Sequence, residues 1–373
     1  MSVSVGALAA LAGLPAMNPR RLRHLLDHHE PADALERLQT GRALDSMFVR
    51  NIRGDGVAEL RAQSASASHE RSFDECQRHG VRVIGRDDER FPAQLTVDPD
   101  PPAVLFVRGR LDALDARRVG IIGTRNATAA GRATATDLAA ELARAGVAVV
   151  SGLARGIDAA AHRGVRSSNG SGSAVAVVGN GLDCPYPKQN SELWEWVAQT
   201  GLLISEWPPG VKPEGWRFPL RNRILAALCE VLVVVESRER GGSLVTVREA
   251  INRSVEVMAV PGSPRSRASA GTNQLLVDGV APVTSVADVL AMLGLDNRRQ
   301  GESPFDPRPV LDGVQSLVLA ACADTPCTLD MLVVELECSI ADAAMAVARL
   351  EHQGWLVEAG GWFEPSGSRL ARP

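Results

Sequence analysis

Between residues 118 and about 293 the chain alternates short, almost unbroken apolar runs with segments of helix length, and no other feature restricts its fold as much. The runs fall at 119–122, 147–150, 174–178, 202–204, 232–235 and 255–260. Strands that read as continuous Val, Ile and Leu are buried on both faces, as happens when helices cover the two sides of a parallel sheet. The helix between the first two runs is well marked: Leu138, Leu142 and Ala145 share a face, and Gly146 follows as its C-cap. The pattern predicts a doubly wound α/β domain with a parallel sheet.

The flanking regions differ in character. Residues 1–75 read as a small helical domain, with Leu22, Leu25, Leu26, Leu35 and Leu38 at helical spacing and Pro15, Pro19 and Pro31 as punctuation. The serine-rich stretch 63–71 reads as a surface loop. Short strand-like pieces at 81–84 and 104–107 lead into the α/β region, which spans 76–293. A linker follows at 294–310. Then comes a compact unit at 311–364, in which three helical segments precede two short strands around Gly360 and Gly361, a winged-helix outline. Residues 365–373 form a tail.

Composition narrows the class. The chain is 45% hydrophobic and 23% charged, ordinary for a soluble globular protein. No apolar run approaches the roughly 20 residues needed to span a bilayer, and residues 6–14 lack the basic flank of a signal peptide. The six cysteines form no CxxC pair and no framework, so reduced core thiols and a cytoplasmic location are expected. The net charge of −4 is unevenly spread. Residues 119–293 carry 17 basic and 15 acidic groups, whereas 311–364 carry nine acidic residues and one basic, Arg349. The last unit repels a polyanion, and the middle one can focus a modest surplus at a site.

Candidate chemistry lies directly after each apolar run. The first is followed by Gly123, Thr124, Arg125 and Asn126, the second by Ser151, Gly152 and then Arg155 and Gly156. Later runs end in Gly179-Asn180-Gly181, Ser205-Glu206, Gly241-Gly242-Ser243 and Pro261-Gly262-Ser263. In open α/β sheets ligands bind at the carboxyl ends of strands, and Gly and Ser there let backbone amides approach an anion. One such loop is ordinarily only a turn. Several converging on one edge, two of them carrying arginine, point to a phosphate-binding site. Neither the GxGxxG fingerprint nor the GxxxxGK(S/T) pattern is present, so a nucleotide cofactor is not expected.

The stretch 186–223 says which phosphate. It holds six of the 14 aromatics, Tyr186, Trp194, Trp196, Trp207, Trp216 and Phe218. Interleaved with them are Arg217, Arg221, Arg223 and the chain's two lysines, Lys188 and Lys212. Aromatics interleaved with cations suit single-stranded nucleic acid, whose bases stack while its backbone is neutralised. At least one of Trp194 and Trp196 is expected to be core instead. Catalytic constellations are thin: His162 sits at i,i+4 from Asp158, a spacing that reads as a helix surface pair, and no cluster has metal-ligand spacing. No catalytic residue, metal or cofactor is assigned.

The strand-end segments taken together resemble the DNA-processing protein A (DprA/Smf) family. The matching pieces are 119–125 (VGIIGTR), 149–158 (VVSGLARGID) with Ala161-His162, 179–183 (GNGLD), 186–190 (YPKQN), Ser205-Glu206, 218–224 (FPLRNRI), 233–236 (VVVE), 242–246 (GSLVT) and 260–262 (VPG). They cover about 91–293 in consistent order. The resemblance implies an extended Rossmann-like domain that dimerises, binds single-stranded DNA and passes it to the recombinase RecA during natural transformation. It also implies a small SAM-like helical domain before it and a winged helix after it. By the same resemblance the DNA site comprises Arg125, Lys188, Phe218, Arg221, Asn222 and Arg223, with Gly123, Thr124, Ser151, Gly152, Arg155, Gly242 and Ser243 in the phosphate-facing loops. Departures lie beside those loops: Ala227-Leu228-Cys229 after the arginine motif, Arg240-Gly241-Gly242, and a lengthened loop at 167–173.

The expected mechanism is electrostatic and stacking: Arg125, Lys188, Arg221 and Arg223 neutralise phosphates while Phe218 stacks a base. Four such contacts give a single-strand salt slope of about −2.8. The alternative is a nucleotide-processing enzyme of a related phosphoribohydrolase group, which requires a GGxGTxxE loop. Here Arg248 stands where that glutamate belongs, and Glu249 is one residue late, about 100° round a helix. The winged-helix segment 340–350 holds one arginine and one aspartate, too little positive charge to read duplex DNA, so a protein contact or regulatory cover is expected of that unit.

Overall fold

The computed structural model describes residues 2–52, 55–295 and 311–366. The chain divides into two compact units, residues 1–297 and 298–373.

The first unit is built on a nine-stranded sheet. Its strands are β1 (Arg82–Gly85), β2 (Val104–Gly109), β3 (Arg118–Ile122), β4 (Ala148–Ser151), β5 (Ala174–Val177), β6 (Leu202–Ser205), β7 (Val231–Val234), β8 (Glu256–Ala259) and β9 (Ala281–Pro282). They lie in the order β1-β2-β6-β5-β4-β3-β7-β8-β9. All pairs from β6 to β9 are parallel, and β2 and β1 extend the sheet antiparallel from β6. This is the doubly wound arrangement, and every apolar run forms a strand.

The pleat explains why those runs are unbroken. Val119, Ile121, Val149, Val231 and Val233 join one core, while Ile122, Val150, Val175, Leu232 and Val234 join the core on the opposite face. Alternate side chains point to opposite faces, so a strand covered on both sides needs apolar residues at every position. The first core is roofed by helices Ala129–Arg144, Ile157–Ser167 and Ser191–Thr200, the second by Arg217–Ala227 and Ser243–Ile251.

Among the described residues six helices, beginning with Ser2–Ala12 and ending with His69–Arg78, precede β1. Leu22 and Leu25 fall in Pro19–Leu26, and Leu35 and Leu38 in Pro31–Thr40; each of these helices starts at its proline, where the missing amide hydrogen costs nothing. Leu11, Leu25 and Leu38 pack into the same cluster as Val83 and Phe106 of the sheet. The stretch 63–71 is less loop than expected: it closes one helix at Ser64 and opens the next at His69.

The second unit contains helices Gly313–Asp324, Leu329–Glu335 and Ile340–His352, followed by the antiparallel hairpin β10 (Leu356–Ala359) and β11 (Trp362–Pro365). Val318, Cys322, Leu332, Val347 and Leu350 form its separate core. The expected linker lies outside the described residues from 296 onward, and the expected tail from 367. Among the described residues no helix is long and apolar enough to cross a membrane, and the six cysteines are free thiols, four of them buried.

Candidate nucleic-acid interface

The connections run one way from β3 through β4 and β5 to β6, then return to β7 on the other side of β3. The loops leaving β3 and β7 therefore diverge, and such a switch point opens a crevice at the carboxyl ends of the strands. A cleft of about 610 Å³ lies there, lined by Gly123, Thr124, Arg125 and Asn126, by Phe218, Arg221 and Asn222, and by Arg238, Gly242 and Ser243. A recess of about 300 Å³ shares Arg125, Tyr186, Phe218 and Arg221 with it and adds Gly152, Arg155 and Lys188.

The loops are held by buried polar groups. Glu236, at the end of β7, accepts from the Thr124 amide through its backbone carbonyl at 2.8 Å. Its carboxylate accepts from the Thr128 amide at 2.9 Å and from the Thr128 hydroxyl at 2.5 Å. Thr128 in turn caps the helix that follows. Asn190, the last residue of the YPKQN segment, is buried and donates to the carbonyls of Leu153 at 2.9 Å and Ala154 at 3.3 Å. Two glycines sit where a side chain would meet close neighbours. A Cβ on Gly156, at φ 79°, would lie 2.3 Å from the Thr124 carbonyl oxygen, and one on Gly152 would lie 2.6 Å from the Arg221 guanidinium.

Charge and ring stacking meet at the junction of the cleft and the recess. Tyr186 and Phe218 stack with centroids 5.5 Å apart at an interplanar angle of 24°. The Arg125 guanidinium lies 5.5 Å from the Phe218 centroid. Arg221 is buried beneath them, donating to the Gly152 carbonyl at 3.3 Å; burial lowers its pKa to about 10, against the attraction of Asp158. It stays charged at neutral pH. Arg125, Arg155 and Lys188 are exposed, and among the described residues none has a carboxylate partner. The N-terminus of helix Ser243–Ile251 opens on the same cleft, where amide hydrogens and the helix dipole favour an anion.

Most of the expected residues meet here, but not all. Arg223 does not reach the cleft: it is buried, donates to both Glu206 oxygens at 2.7 and 2.9 Å and pairs with Asp100 at 3.1 Å. Burial opposes its charge and those carboxylates outweigh it, so its pKa is raised. Ser151 is buried too, its hydroxyl donating to the Ile121 carbonyl at 2.7 Å and tying β4 to β3. Asp158 and His162 are not a surface pair. Both are buried; Asp158 lies by Arg221, and neither His162 ring nitrogen has a hydrogen-bond partner. Burial lowers the His162 pKa to about 3. Trp194 is core, its indole donating to the Leu182 carbonyl at 3.2 Å. Lys212 lines neither cavity, and Arg217 sits against Trp207 and Trp216.

Tyr186 and Arg238 also line the cleft, although neither is among the residues that the resemblance implies for the DNA site. Tyr186 is one of the six aromatics in 186–223 whose composition suits base stacking. Arg238 stands at a strand end like the glycine loops, and that position was its signal. Glu249, the carboxylate nearest to an enzymatic register, pairs with Arg253 at 2.5 Å and lines neither cavity.

Residues 82–294 match the model of the family described as DNA recombination-mediator protein A. The chain is 38% identical over 227 residues to the DNA processing protein DprA of Bacillus subtilis, covering 61% of this chain and 75% of that one. It is 30% identical over 380 residues to the protein Smf of Synechocystis, covering 92% and 94%. Among solved structures it is similar to DNA processing protein A of Streptococcus pneumoniae, with TM-score 0.65 and 30% identity over 78% of this chain and 97% of that one. It is also similar to DNA processing protein A of Helicobacter pylori, whose structure was solved to explain its binding of single-stranded DNA. There the TM-score is 0.52 and the identity 29%, covering 58% of this chain and 96% of that one.

Proposed function

The chain belongs to the DNA recombination-mediator protein A family, and from that premise we propose that it binds single-stranded DNA in the cleft at the β3–β7 switch point and delivers it to RecA. The observation that carries this reading is the Arg125–Phe218–Tyr186 stack at the mouth of a recess that also holds Arg155, Lys188 and Arg221. An aromatic pair offers a π-face to any base, and four cations around it neutralise the phosphates on either side. With Arg155 taking the place that Arg223 vacates, the contacts remain four and the single-strand salt slope remains about −2.8.

The reading is of a binding protein and not a catalyst. The cleft carboxylate, Asp158, is buried beside Arg221, and burial raises its pKa. The His162 imidazole lines neither cavity. Homodimerisation, by placing two clefts on one strand, would add avidity without new contacts. RecA as recipient and natural transformation as setting rest on kinship, as does a cytoplasmic location.

The test is a titration of fluorescent single-stranded oligonucleotide against wild type and an Arg125→Ala/Lys188→Ala variant at two salt concentrations, with a duplex control. Both residues are exposed, so the variant keeps the fold. Salt-sensitive, single-strand-selective binding that the variant loses supports the site and justifies a RecA-loading assay. Binding that ignores both substitutions removes the cleft from consideration.

A further inference from the structure

We infer that the loops after β7 and β8 form an outer cationic strip, Arg240, Arg265 and Arg267, along which a bound single strand continues beyond the cleft. The inference rests on the cleft being the DNA site, and it extends that site to arginines that the cleft does not contain.

The two ends of the parallel strands treat arginine differently. Where the chain enters β3 and β7, Arg117 pairs with Glu230 at 2.5 Å, and where it enters β8, Arg253 pairs with Asp98 at 2.7 Å. At the opposite, carboxyl ends the arginines stand alone. Arg238, Arg240, Arg265 and Arg267 are all exposed, and among the described residues no carboxylate pairs with any of them. The acidic residues in these two loops are Glu236, which is buried and bonded to Thr128, and Glu239, so four exposed arginines face one exposed carboxylate. Neighbouring arginines repel one another modestly through water, and an anion laid along them relieves that repulsion.

The two loops form one surface. β7 and β8 are parallel neighbours, paired from Val231–Glu256 to Val234–Ala259, so their loops emerge about 5 Å apart. The Gly271 amide donates to the Ser237 carbonyl at 2.7 Å, stitching the far end of the β8 loop to the start of the β7 loop. A Cβ on Gly271 would lie 2.5 Å from the Arg238 carbonyl oxygen. Within the β8 loop, Gly262 and Asn273 exchange hydrogen bonds of 3.0 and 2.9 Å, and Ser266 and Ser269 donate their amides to Ser263 and Ser266. The strip is thus preorganised, which lowers the ordering cost of binding. Arg238 lines the cleft itself and makes the two surfaces continuous. Exposed, spaced arginines without a pocket beneath them suit an extended polyanion better than a single small anion.

The experiment compares two oligothymidylates, one of about 5 nucleotides that fills the cleft and one of about 20 that can reach past it. The full-length chain is used as wild type, Arg240→Ala/Arg265→Ala/Arg267→Ala, and Arg125→Ala. The strip variant should bind the long oligonucleotide at least tenfold more weakly, with a salt slope shallower by about 2, and the short one unchanged. The charge-reversed Arg265→Glu/Arg267→Glu should lose more. All substitutions are on exposed loop residues, and an unchanged thermal melt checks the fold. If the strip variant binds the long oligonucleotide as wild type does while Arg125→Ala does not, the strip is overturned and the cleft stands. Equal losses on both lengths also overturn the strip, because they place these arginines at the cleft. If Arg125→Ala changes neither length while the strip variant weakens the long one, the cleft reading fails, and the strip as its continuation is overturned with it.

Discussion

Arg223 and Glu206 form a bidentate ion pair, Nη1 to Oε2 at 2.9 Å and Nη2 to Oε1 at 2.7 Å, with both side chains nearly sealed from solvent. The pair binds helix Arg217–Ala227 to the end of β6, and Asp100 closes the other side of the guanidinium. Removing one partner of a buried pair strands the other charge, at a cost of about 3–5 kcal/mol. Arg223→Ala should therefore lower the urea midpoint sharply, and Arg223→Met with Glu206→Leu should recover much of the loss. A stable Arg223→Ala protein with impaired DNA binding would return this arginine to the binding surface.

Gly152 separates fold from binding in the opposite way. A methyl group there meets the tip of the Arg221 side chain at 2.6 to 2.8 Å and an Asp158 carboxylate oxygen at 2.7 Å. Side-chain tips can move, so Gly152→Ala should fold with a stability change of about 1 kcal/mol or less. It should nevertheless displace Arg221 from beneath the recess and weaken single-strand binding about tenfold or more. Wild-type affinity in this variant would show that Arg221 does not contribute from its buried position.

The contrast between Arg221 and Arg223 marks how far the sequence could be read. The strands were legible because double-sided burial leaves an unbroken apolar run, and the site's edge was legible because Gly, Ser and Arg recur directly after those runs. Helical geometry already argues against treating the two arginines alike: two residues at about 100° each turn the side chain some 200° round the axis. Which of them faces the cleft depends on Glu206, Asp100 and the packing of the helix, contacts that span 17 and 123 residues and leave no local trace. His162 was misread for a similar reason. Its spacing from Asp158 suggests an exposed pair, but its helix packs against helix Ala129–Arg144 and the sheet, contacts visible only in the fold.

His162 gives the chain a predictable response to acid. Its folded-state pKa, lowered to about 3 by burial, lies below the ordinary value of 6.5. The unfolded chain therefore takes up a proton first as pH falls, and stability contributed by the neutral ring is lost below pH 6.5. The linkage slope approaches about 1.4 kcal/mol per pH unit, or roughly 2 kcal/mol between pH 7 and 5. Measured by urea unfolding, the difference in slope between wild type and His162→Gln should carry this dependence. Parallel pH profiles for the two would mean that the imidazole is protonated or hydrated in the folded chain.

The second unit should contribute no favourable contact to DNA. Residues 311–364 of it carry nine acidic residues against one basic, which opposes a polyanion, and the unit has a core of its own. A chain ending at residue 297 should bind single-stranded DNA at least as tightly as the full chain. Weaker binding on truncation would assign the unit a direct DNA contact despite its charge.

Phe218 and Arg125 touch each other, yet they should fail in distinguishable ways. Stacking on an aromatic ring is worth about 1–3 kcal/mol per base and does not release counterions. Phe218→Ala should thus reduce affinity by about 5- to 150-fold at every salt concentration and leave the slope intact. Arg125→Ala removes one phosphate contact, so its slope should become shallower by about 0.7 and its deficit should shrink as salt rises. Because the guanidinium rests over the ring, the double variant should lose less than the sum of the two. Additive losses, or a slope that changes with Phe218→Ala, would mean that the ring orders the cations and does not itself receive a base.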